Sequence, residues 1–315
     1  MKAQQGVALI TILVMVALAT ILAATVAKRQ AHTTEGTAYL MRQNQSMLYA
    51  QSAEAFFAEL LKDDAKTAGA IDHLNETWAQ PMPAFPVEDG YVSGKLQDES
   101  GKFNLNSLVK ADGTVNEAAK QLFERLLQRL DLPAQLSEAV IDWQDPDDVV
   151  VGSMGAESPY YQGQRPSYMP ANTRFHSVDE LKLVRGFEAD HFQRIAPFVT
   201  ASPQQDSKIN INTASALVLA CLHDNLQANQ IGLLLQQRQT QAQYFENLDQ
   251  LWELDGFQTV PTEQRTAMAA LLGVESHYFQ AQIEVMLSER KRQFTSFLWR
   301  NEGQVHLLQR NMTPF

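Results

Sequence analysis

The stretch QQGVALITILVMVALATILAATVAKRQ, residues 4–30, decides the fold. Its residues 7–27 are uncharged and mostly apolar, and at about 1.5 Å per residue they extend roughly 30 Å, close to the thickness of a bilayer's hydrocarbon core. This length predicts a transmembrane helix. A cleaved signal peptide is the alternative, because TVA at 25–27 resembles a small-residue cleavage site, although signal peptides usually have a shorter apolar region. Lys2 and the KR pair at 28–29 flank the run, so charge alone does not fix its orientation.

Beyond this run the sequence predicts that the helix continues. Residues 32–66 contain neither proline nor a cluster of turn residues. Apolar side chains recur there at near-helical spacing: Tyr39, Met41, Met47, Leu48, Phe56, Phe57, Leu60 and Leu61. This stripe is interpreted either as the face that covers a sheet or, in part, as a surface for partner helices, because both uses have the same spacing.

Composition bounds the class of protein. The chain has 315 residues, 45% hydrophobic and 19% charged, which is typical of a folded globular protein. Its formal net charge of −11 argues against nucleic-acid binding, which depends on Lys and Arg at phosphates. The single cysteine, Cys221, excludes an intramolecular disulfide and is interpreted as a small buried hydrophobe.

The rest of the chain alternates between strand and helix patterns. QPMPAFPVEDG at 80–90 predicts a boundary, and the following residues 91–105 predict two strands around a turn at ESG. Helical periodicity returns over 114–140. Residues 277–288 alternate with period two, and 290–311 predict two more strands with the turn NEG at 301–303. We therefore expect an antiparallel sheet whose strands come from both sides of a helical insertion.

An internal repeat lies within this insertion. FHSVDELKLVRGF at 175–187 aligns with FENLDQLWELDGF at 245–257, and each copy predicts a helix that ends at a left-handed glycine, Gly186 or Gly256. The second copy is preceded by KININTASALVLACL at 208–222. This stretch resembles helix-hairpin-helix modules.

The acidic segment DWQDPDDVVVGSMGAES, 142–158, is the candidate metal site. It contains no Lys or Arg, and a hard cation such as calcium with six to eight oxygen ligands would relieve its repulsion. A solvated acidic loop is the alternative. The spacing is not that of an EF-hand, because the sixth position counted from Asp145 is Val150 instead of glycine. The chosen ligands are Asp145, Asp147, Asp148 and Glu157, with Asp142 the weaker choice.

The N-terminus resembles that of type IV pilins and pseudopilins. A short polar leader ends in a glycine, Gly6, and an apolar helix starts at Val7 and continues as an amphipathic extension. The resemblance implies cleavage between these two residues by prepilin peptidase, methylation of the new amino terminus, a cytoplasmic leader at 1–6 and a periplasmic C-terminal part anchored in the bacterial inner membrane. The fifth mature residue is glutamate in most of the family but Thr11 here, a feature of general secretion pathway protein K.

Several internal motifs are similar to that same family of minor pseudopilins. DESGKFNLNSL, DWQDPDDVV, GAESPYY, SVDELKLVRGF and ININTAS occur in the family's order and cover most of residues 98–215. The resemblance implies an α+β fold, in which a pilin-like long helix lies on a small antiparallel sheet that carries a large all-α insertion of helix-hairpin-helix or SAM-like repeats. It also implies calcium in the periplasmic part. The expected limits are 7–27 for the membrane part of the helix, 28–108 with 277–315 for the pilin-like domain, and 109–276 for the insertion.

The function implied by the resemblance is that of a tip subunit of the type II secretion pseudopilus, which initiates assembly without catalysing a reaction. Its expected partners are minor pseudopilins I and J, with H as a further candidate, together with prepilin peptidase and the inner-membrane secretion platform. A membrane-anchored DNA-binding protein is the alternative, although CLHDNLQANQ at 221–230 lacks the expected glycine-rich hairpin. Hydrolase motifs such as G-x-S-x-G, H-E-x-x-H and the P-loop are absent from the sequence.

Overall fold

The computed structural model describes residues 4–67 and 69–313, and it begins with one helix of 64 residues, α1 (Gln4–Thr67). At about 1.5 Å per residue this helix is roughly 95 Å long. Its apolar N-terminal part is exposed throughout, whereas its C-terminal part buries Ala50, Ala53, Phe57 and Leu61 on one side. The predicted continuation of the helix beyond the apolar run is confirmed.

The remaining elements follow in chain order. They are β1 (Met82–Val87), β2 (Gly90–Asp98), β3 (Phe103–Asn104), α2 (Glu117–Arg129), α3 (Leu136–Asp142), α4 (Ser158–Gln162), α5 (Ala189–Ile195), β4 (Val199–Thr200), β5 (Ile209–Asn210), α6 (Ala216–Ala220), α7 (Ala228–Thr240), α8 (Leu248–Trp252), α9 (Thr262–Ala269), β6 (Leu272–Gly273), β7 (Tyr278–Leu287), β8 (Arg290–Asn301) and β9 (Gln304–Thr313). Short 3₁₀ helices occupy Thr77–Ala79, Leu105–Ser107, Val178–Leu183, Ala196–Phe198 and Phe257–Thr259.

Five strands form an antiparallel sheet in the order β1-β2-β7-β8-β9, and α1 packs against it. Alternation along β7 buries every second side chain, as its period-two pattern predicts. β8 and β9 are joined by Glu302 and Gly303, whose φ angles are 49° and 73°, so the turn has the positive φ values that tight hairpins require. The predicted turn at 301–303 is confirmed.

The predicted hairpin over 91–105 is wrong. β2 pairs with β1 and β7, whereas β3 runs parallel to β4 in a separate two-stranded sheet. The chain leaves the large sheet at Asp98, whose Oδ1 accepts a hydrogen bond of 2.7 Å from the N–H of Ser100. The true partner β1 lies in the proline-rich segment that predicted only a boundary, and its prolines are tolerated because β1 is an edge strand.

The residues between β2 and β7 form a second hydrophobic core, which is built from two copies of one unit. In the first copy, the side-chain amide of Asn106 donates a hydrogen bond of 2.9 Å to the carbonyl of Phe175 and accepts one of 2.8 Å from the N–H of Phe175. In the second, Asn212 makes the same pair of bonds with Phe245, at 3.0 and 2.6 Å. Each copy also contains one parallel strand pair, β3 with β4 or β5 with β6. The duplication therefore extends beyond the two stretches in which the sequence shows it.

The repeated segments themselves differ in part from expectation. Gly186 and Gly256 have φ angles of 85° and 87°, as predicted for left-handed positions. The helices before them are short: a 3₁₀ helix in the first copy, capped by Ser177, and the five-residue α8 in the second, capped by Asn247. Whether these units are helix-hairpin-helix or SAM-like modules stays a prediction.

The duplicated asparagines give a matched pair of variants. Asn106→Ala is expected to lower the free energy of unfolding by about 1–3 kcal/mol, because Asn106 is fully buried and its loss leaves the N–H of Phe175 without an acceptor. Asn212→Ala is expected to cost less, because Asn212 is partly exposed and water can replace its amide. Chemical unfolding of the full chain in detergent measures both, and equal losses would contradict this difference.

The helical insertion lies at the end of α1 that is farthest from the apolar N-terminal run. The N–H of Asp72, just after α1, donates 2.8 Å to the carbonyl of Val274, and Asn210 of β5 donates 3.0 Å to the carbonyl of Asp72. Leu96 belongs to the core between α1 and the large sheet, whereas Phe103 belongs to the core of the insertion. The boundary between the two cores therefore lies between these residues, before the boundary expected at 108.

Candidate metal centre

Three acidic side chains converge where α3 ends. Asp142 is the last residue of α3, Asp145 follows in the next turn, and Glu157 lies immediately before α4. One carboxylate oxygen of each lies within 4.8 Å of the others. All three residues are buried, with exposed fractions of 0, 6 and 2%. The structure therefore brings together acids that are 15 residues apart in sequence, because the loop between α3 and α4 folds back on itself.

Three of the six carboxylate oxygens in this group are buried without a hydrogen-bond partner among the described residues. Both carboxylate oxygens of Glu157 and Oδ1 of Asp145 are buried and unpaired. Asp142 differs, since its two oxygens accept bonds of 3.1 and 3.3 Å from the N–H of Val151. A buried carboxylate without partners costs several kcal/mol, so these groups require a proton or a cation.

Burial raises the pKa of each of the three carboxyls, and repulsion from neighbouring carboxylates adds to the effect. The pKa of Asp142 rises to about 6, that of Asp145 to about 7 and that of Glu157 to about 7. Loss of solvation is the largest cause in every case. Such groups exchange a proton for a metal ion near neutral pH, because a bound cation stabilises the charged form.

The residues fit a calcium ion. Hard cations of this kind take carboxylate, carbonyl and water oxygens, and unpaired buried carboxylate oxygens are the donors they prefer. Asp142, Asp145 and Glu157 would hold the ion, which would supply positive charge and order the loop. It would have no part in a reaction.

Asp147 and Asp148 lie outside the converging group. Both are exposed; Asp147 accepts 2.8 Å from the N–H of Val149, and Asp148 accepts 3.0 Å from the hydroxyl of Ser158. Their charges raise the pKa of Glu157 further. Asp142, the weaker choice from sequence, is instead fully buried within the group. Which of the five acids bind calcium stays a prediction.

Two features that the sequence reasoning missed shape the loop. Gly155 lies against Asp142, because a Cβ there would come within 2.4 Å of Asp142 Oδ2. Glu138 of α3 accepts bonds of 2.8 and 2.7 Å from the N–H groups of Ser153 and Met154. The two glycines in VGSMGAE were the sequence signal for this tight packing of the loop, since glycine permits close approach to a side chain.

At the other end of the chain, the predicted processing residues lie in α1. Gly6 and Val7 are in its first turns, and residues 1–3 of the predicted leader lie outside the described residues. The hydroxyl of Thr11 donates to the carbonyls of Val7 (3.0 Å) and Ala8 (2.9 Å), so it needs no partner from another chain. By length and composition, α1 is the one described helix that qualifies to cross a membrane, and none of its apolar window is buried.

The structure divides the apolar stripe of α1 into two sets. Phe57 is buried against the sheet, and Met47 is half-buried beside that core. Met41, Leu48 and Phe56 are instead 67, 62 and 51% exposed. The second set is available to a partner.

Known proteins match this chain over almost its whole length. The family described as "Type II secretion system (T2SS), protein K" matches residues 101–204 and again 209–275, which correspond to the two copies in the insertion. Type II secretion system protein K of Pseudomonas aeruginosa is 33% identical over 99% of this chain and 93% of its own length. Type II secretion system protein K of Aeromonas hydrophila is 30% identical over 99% of this chain and 97% of its own length.

A solved structure matches as well. The GspK-GspI-GspJ complex of the type 2 secretion system from enterotoxigenic Escherichia coli contains a chain with a TM-score of 0.80 and 26% identity to this one. The match covers 89% of this chain and 99% of that chain.

A helix that is long and apolar enough to cross a membrane and that packs on an antiparallel sheet, together with these similarities, defines a pseudopilin of type II secretion. The chain belongs to the type II secretion system protein K family. The resemblance noted from its motifs is confirmed, as is the mixed helix-and-sheet fold with a long N-terminal helix. This family is a structural part of secretion machinery and no known enzyme. The matches named here give the DNA-binding alternative no support.

Proposed function

We propose that this protein forms the tip of a type II secretion pseudopilus, where it binds minor pseudopilins I and J, initiates assembly and supports export of folded proteins. The observation that carries this proposal is the position of the insertion, at the end of α1 opposite the apolar run. In a fibre of parallel helices, this end points away from the membrane. A second subunit stacked above would meet the insertion, so the chain fits only at an end.

Thr11 supports the same position. In the family, the glutamate at the fifth mature position is understood to pair with the amino terminus of a neighbouring subunit. Such a carboxylate is costly inside a membrane without a partner. Thr11 is satisfied within its own helix, so it costs nothing in a subunit that has no neighbour above.

Partner binding is expected to use the exposed apolar set on α1. In the full chain in detergent, Leu48→Asp is expected to reduce copurification of pseudopilins I and J at least tenfold, because it places a charge in an apolar helix contact. Leu233→Asp on α7 is the matched control, since Leu48 and Leu233 are 62 and 69% exposed. Equal retention of both partners by the two variants would contradict this use of the helix.

The tip position is tested separately by localising the labelled full chain on fibres. We expect label at one end only. Label spread along the whole fibre would contradict the proposal, as would binding of the full chain to DNA at physiological salt in place of pseudopilins I and J.

We further propose an inner-membrane protein with a short cytoplasmic N-terminus and a periplasmic remainder, which is assembled on the secretion platform. Intact-mass spectrometry of the membrane-extracted protein is expected to show an N-methylated chain beginning at Val7, because prepilin peptidase cuts after the glycine of its leader. A chain beginning at Lys28 would instead indicate signal-peptide removal, and retention of Met1 would indicate a generic anchor.

The acidic loop is proposed to bind calcium through Asp142, Asp145 and Glu157, with Asp147 and Asp148 adding negative charge at its rim. The unpaired buried oxygens support this proposal. Binding would order the loop between α3 and α4 without any catalytic role.

A further inference from the structure

A second group of acids, two of them buried, lies where α1 ends, apart from the acidic loop. Asp64 is in the last turn of α1, and Asp72 and Glu76 follow in the segment that leads to β1. One carboxylate oxygen of each lies within 4.8 Å of the others. Asp72 and Glu76 are only 1 and 8% exposed.

The hydrogen bonds at this junction leave one oxygen unpaired. Glu76 Oε2 accepts bonds from the N–H of His73 (2.8 Å) and from Trp78 Nε1 (2.7 Å). Glu76 Oε1 is buried and has no hydrogen-bond partner among the described residues. Both carboxylate oxygens of Asp72 have hydrogen-bond partners. Oδ2 accepts a bond of 2.7 Å from the N–H of Ser276, and Oδ1 accepts one from the guanidinium of Arg300.

The charges do not balance. Arg300 forms ion pairs with Asp64, at 3.0 Å, and with Asp72. Three carboxylates facing one guanidinium leave two negative charges in a desolvated place, which is unfavourable without a further positive charge. Loss of solvation and the nearby Glu76 raise the pKa of Asp64 to about 6. Asp98, which is half-buried, adds repulsion toward Asp72.

We propose that Asp64, Asp72 and Glu76 bind a second hard divalent cation of the calcium class, independent of the acidic loop. Glu76 Oε1 would be its central ligand. Asp64 is partly exposed, which provides an entry path and leaves room for water ligands.

The ion would fasten the insertion to the pilin-like part. Asp72 is hydrogen-bonded through its backbone to Val274 and to Asn210 of β5, while Arg300 belongs to β8. A cation between α1 and this segment therefore holds together the helix, the sheet and the insertion.

Calcium stoichiometry of the full chain in detergent tests the proposal. Glu76→Gln, which keeps the shape of the side chain, is expected to lose one bound ion and to retain the loop ion; Glu157→Gln is expected to show the reverse. Asp63→Asn is the matched control, because Asp63 is the exposed neighbour of Asp64 in α1. Unchanged calcium binding by Glu76→Gln would overturn the junction site, and loss of all calcium in either single variant would overturn the independence of the two sites.

Terbium luminescence gives a second readout that does not depend on how well Glu76→Gln folds. Trp78 touches Glu76, whereas Trp143 adjoins Asp142, so each site has its own energy donor. In a Glu157→Gln background, tryptophan-sensitised Tb³⁺ emission is expected to persist and to fall at least fivefold on Trp78→Phe. Emission that persists undiminished in this double variant, or that is already absent in Glu157→Gln, would contradict a cation beside Glu76.

Discussion

Replacing Arg300 by methionine is expected to lower the free energy of unfolding by about 3–5 kcal/mol, because it removes one partner from a buried ion-pair network. Arg300 is 5% exposed and lies over the ring of Phe279, 5.1 Å from its centroid. The change leaves the Asp72 carboxylate, which is 1% exposed, without its guanidinium. Methionine retains most of the apolar volume, so the loss measures charge more than packing.

Thermal and chemical unfolding of the full chain in detergent, followed by near-ultraviolet circular dichroism, measures this effect. Lys291→Met on the same strand is the control, because its ion pair with Glu284 is half exposed and such pairs contribute about 0–1 kcal/mol. Adding Asp72→Asn to Arg300→Met is expected to recover part of the loss, since the carboxylate that lost its guanidinium partner is then replaced by a neutral amide. A loss for Arg300→Met no larger than that for Lys291→Met would contradict the structural role of the network.

Chelation of calcium is expected to lower the stability of the folded protein by about 2.7 kcal/mol relative to saturation at a hundred times the dissociation constant. In the proposed site the ion would bind only the folded loop, where buried oxygens of Asp145 and Glu157 have no hydrogen-bond partner among the described residues, and the unfolded chain would offer no such site. The effect should shrink on acidification through pH 7 to 5, because protons compete for carboxyls whose pKa burial has raised to about 7.

Melts with calcium and with chelator measure this difference. Glu157→Gln is expected to reduce it most, and Asp147→Asn with Asp148→Asn less, because those two side chains are exposed. Glu263→Gln on α9 serves as the control, since it removes one exposed acid elsewhere. Identical melts with and without calcium in the unmodified protein would argue against the loop as a calcium site.

Local patterns predicted the elements that depend on neighbouring residues. The apolar run and the absence of proline predicted α1, and period-two alternation predicted β7. The positive φ angles of Gly186, Gly256 and Gly303 were likewise readable, because glycine is the residue that adopts them at least cost.

Pairings between distant segments were not predictable in this way. The local pattern predicted a hairpin between residues 91–98 and 103–105. In the structure β2 instead lies between β1 and β7, and its paired residues in β7 are 181 (Asp98 to Phe279) to 197 (Gly90 to Leu287) positions further along. The apolar pattern of β2 suits any neighbouring strand, so register and partner depend on the whole sheet. β1 was missed because its prolines are acceptable only once it lies at an edge.

The sequence by itself determined the membrane-length helix, the family and the acidic loop as a candidate site. Tertiary structure alone decided which acids come together. It separated Asp142, Asp145 and Glu157 from the exposed Asp147 and Asp148, and it placed Arg300 against Asp64, 236 positions away. The physical reason is that helix and turn preferences act over a few residues, whereas the burial of a charge, and hence its need for a cation, depends on every segment that packs around it.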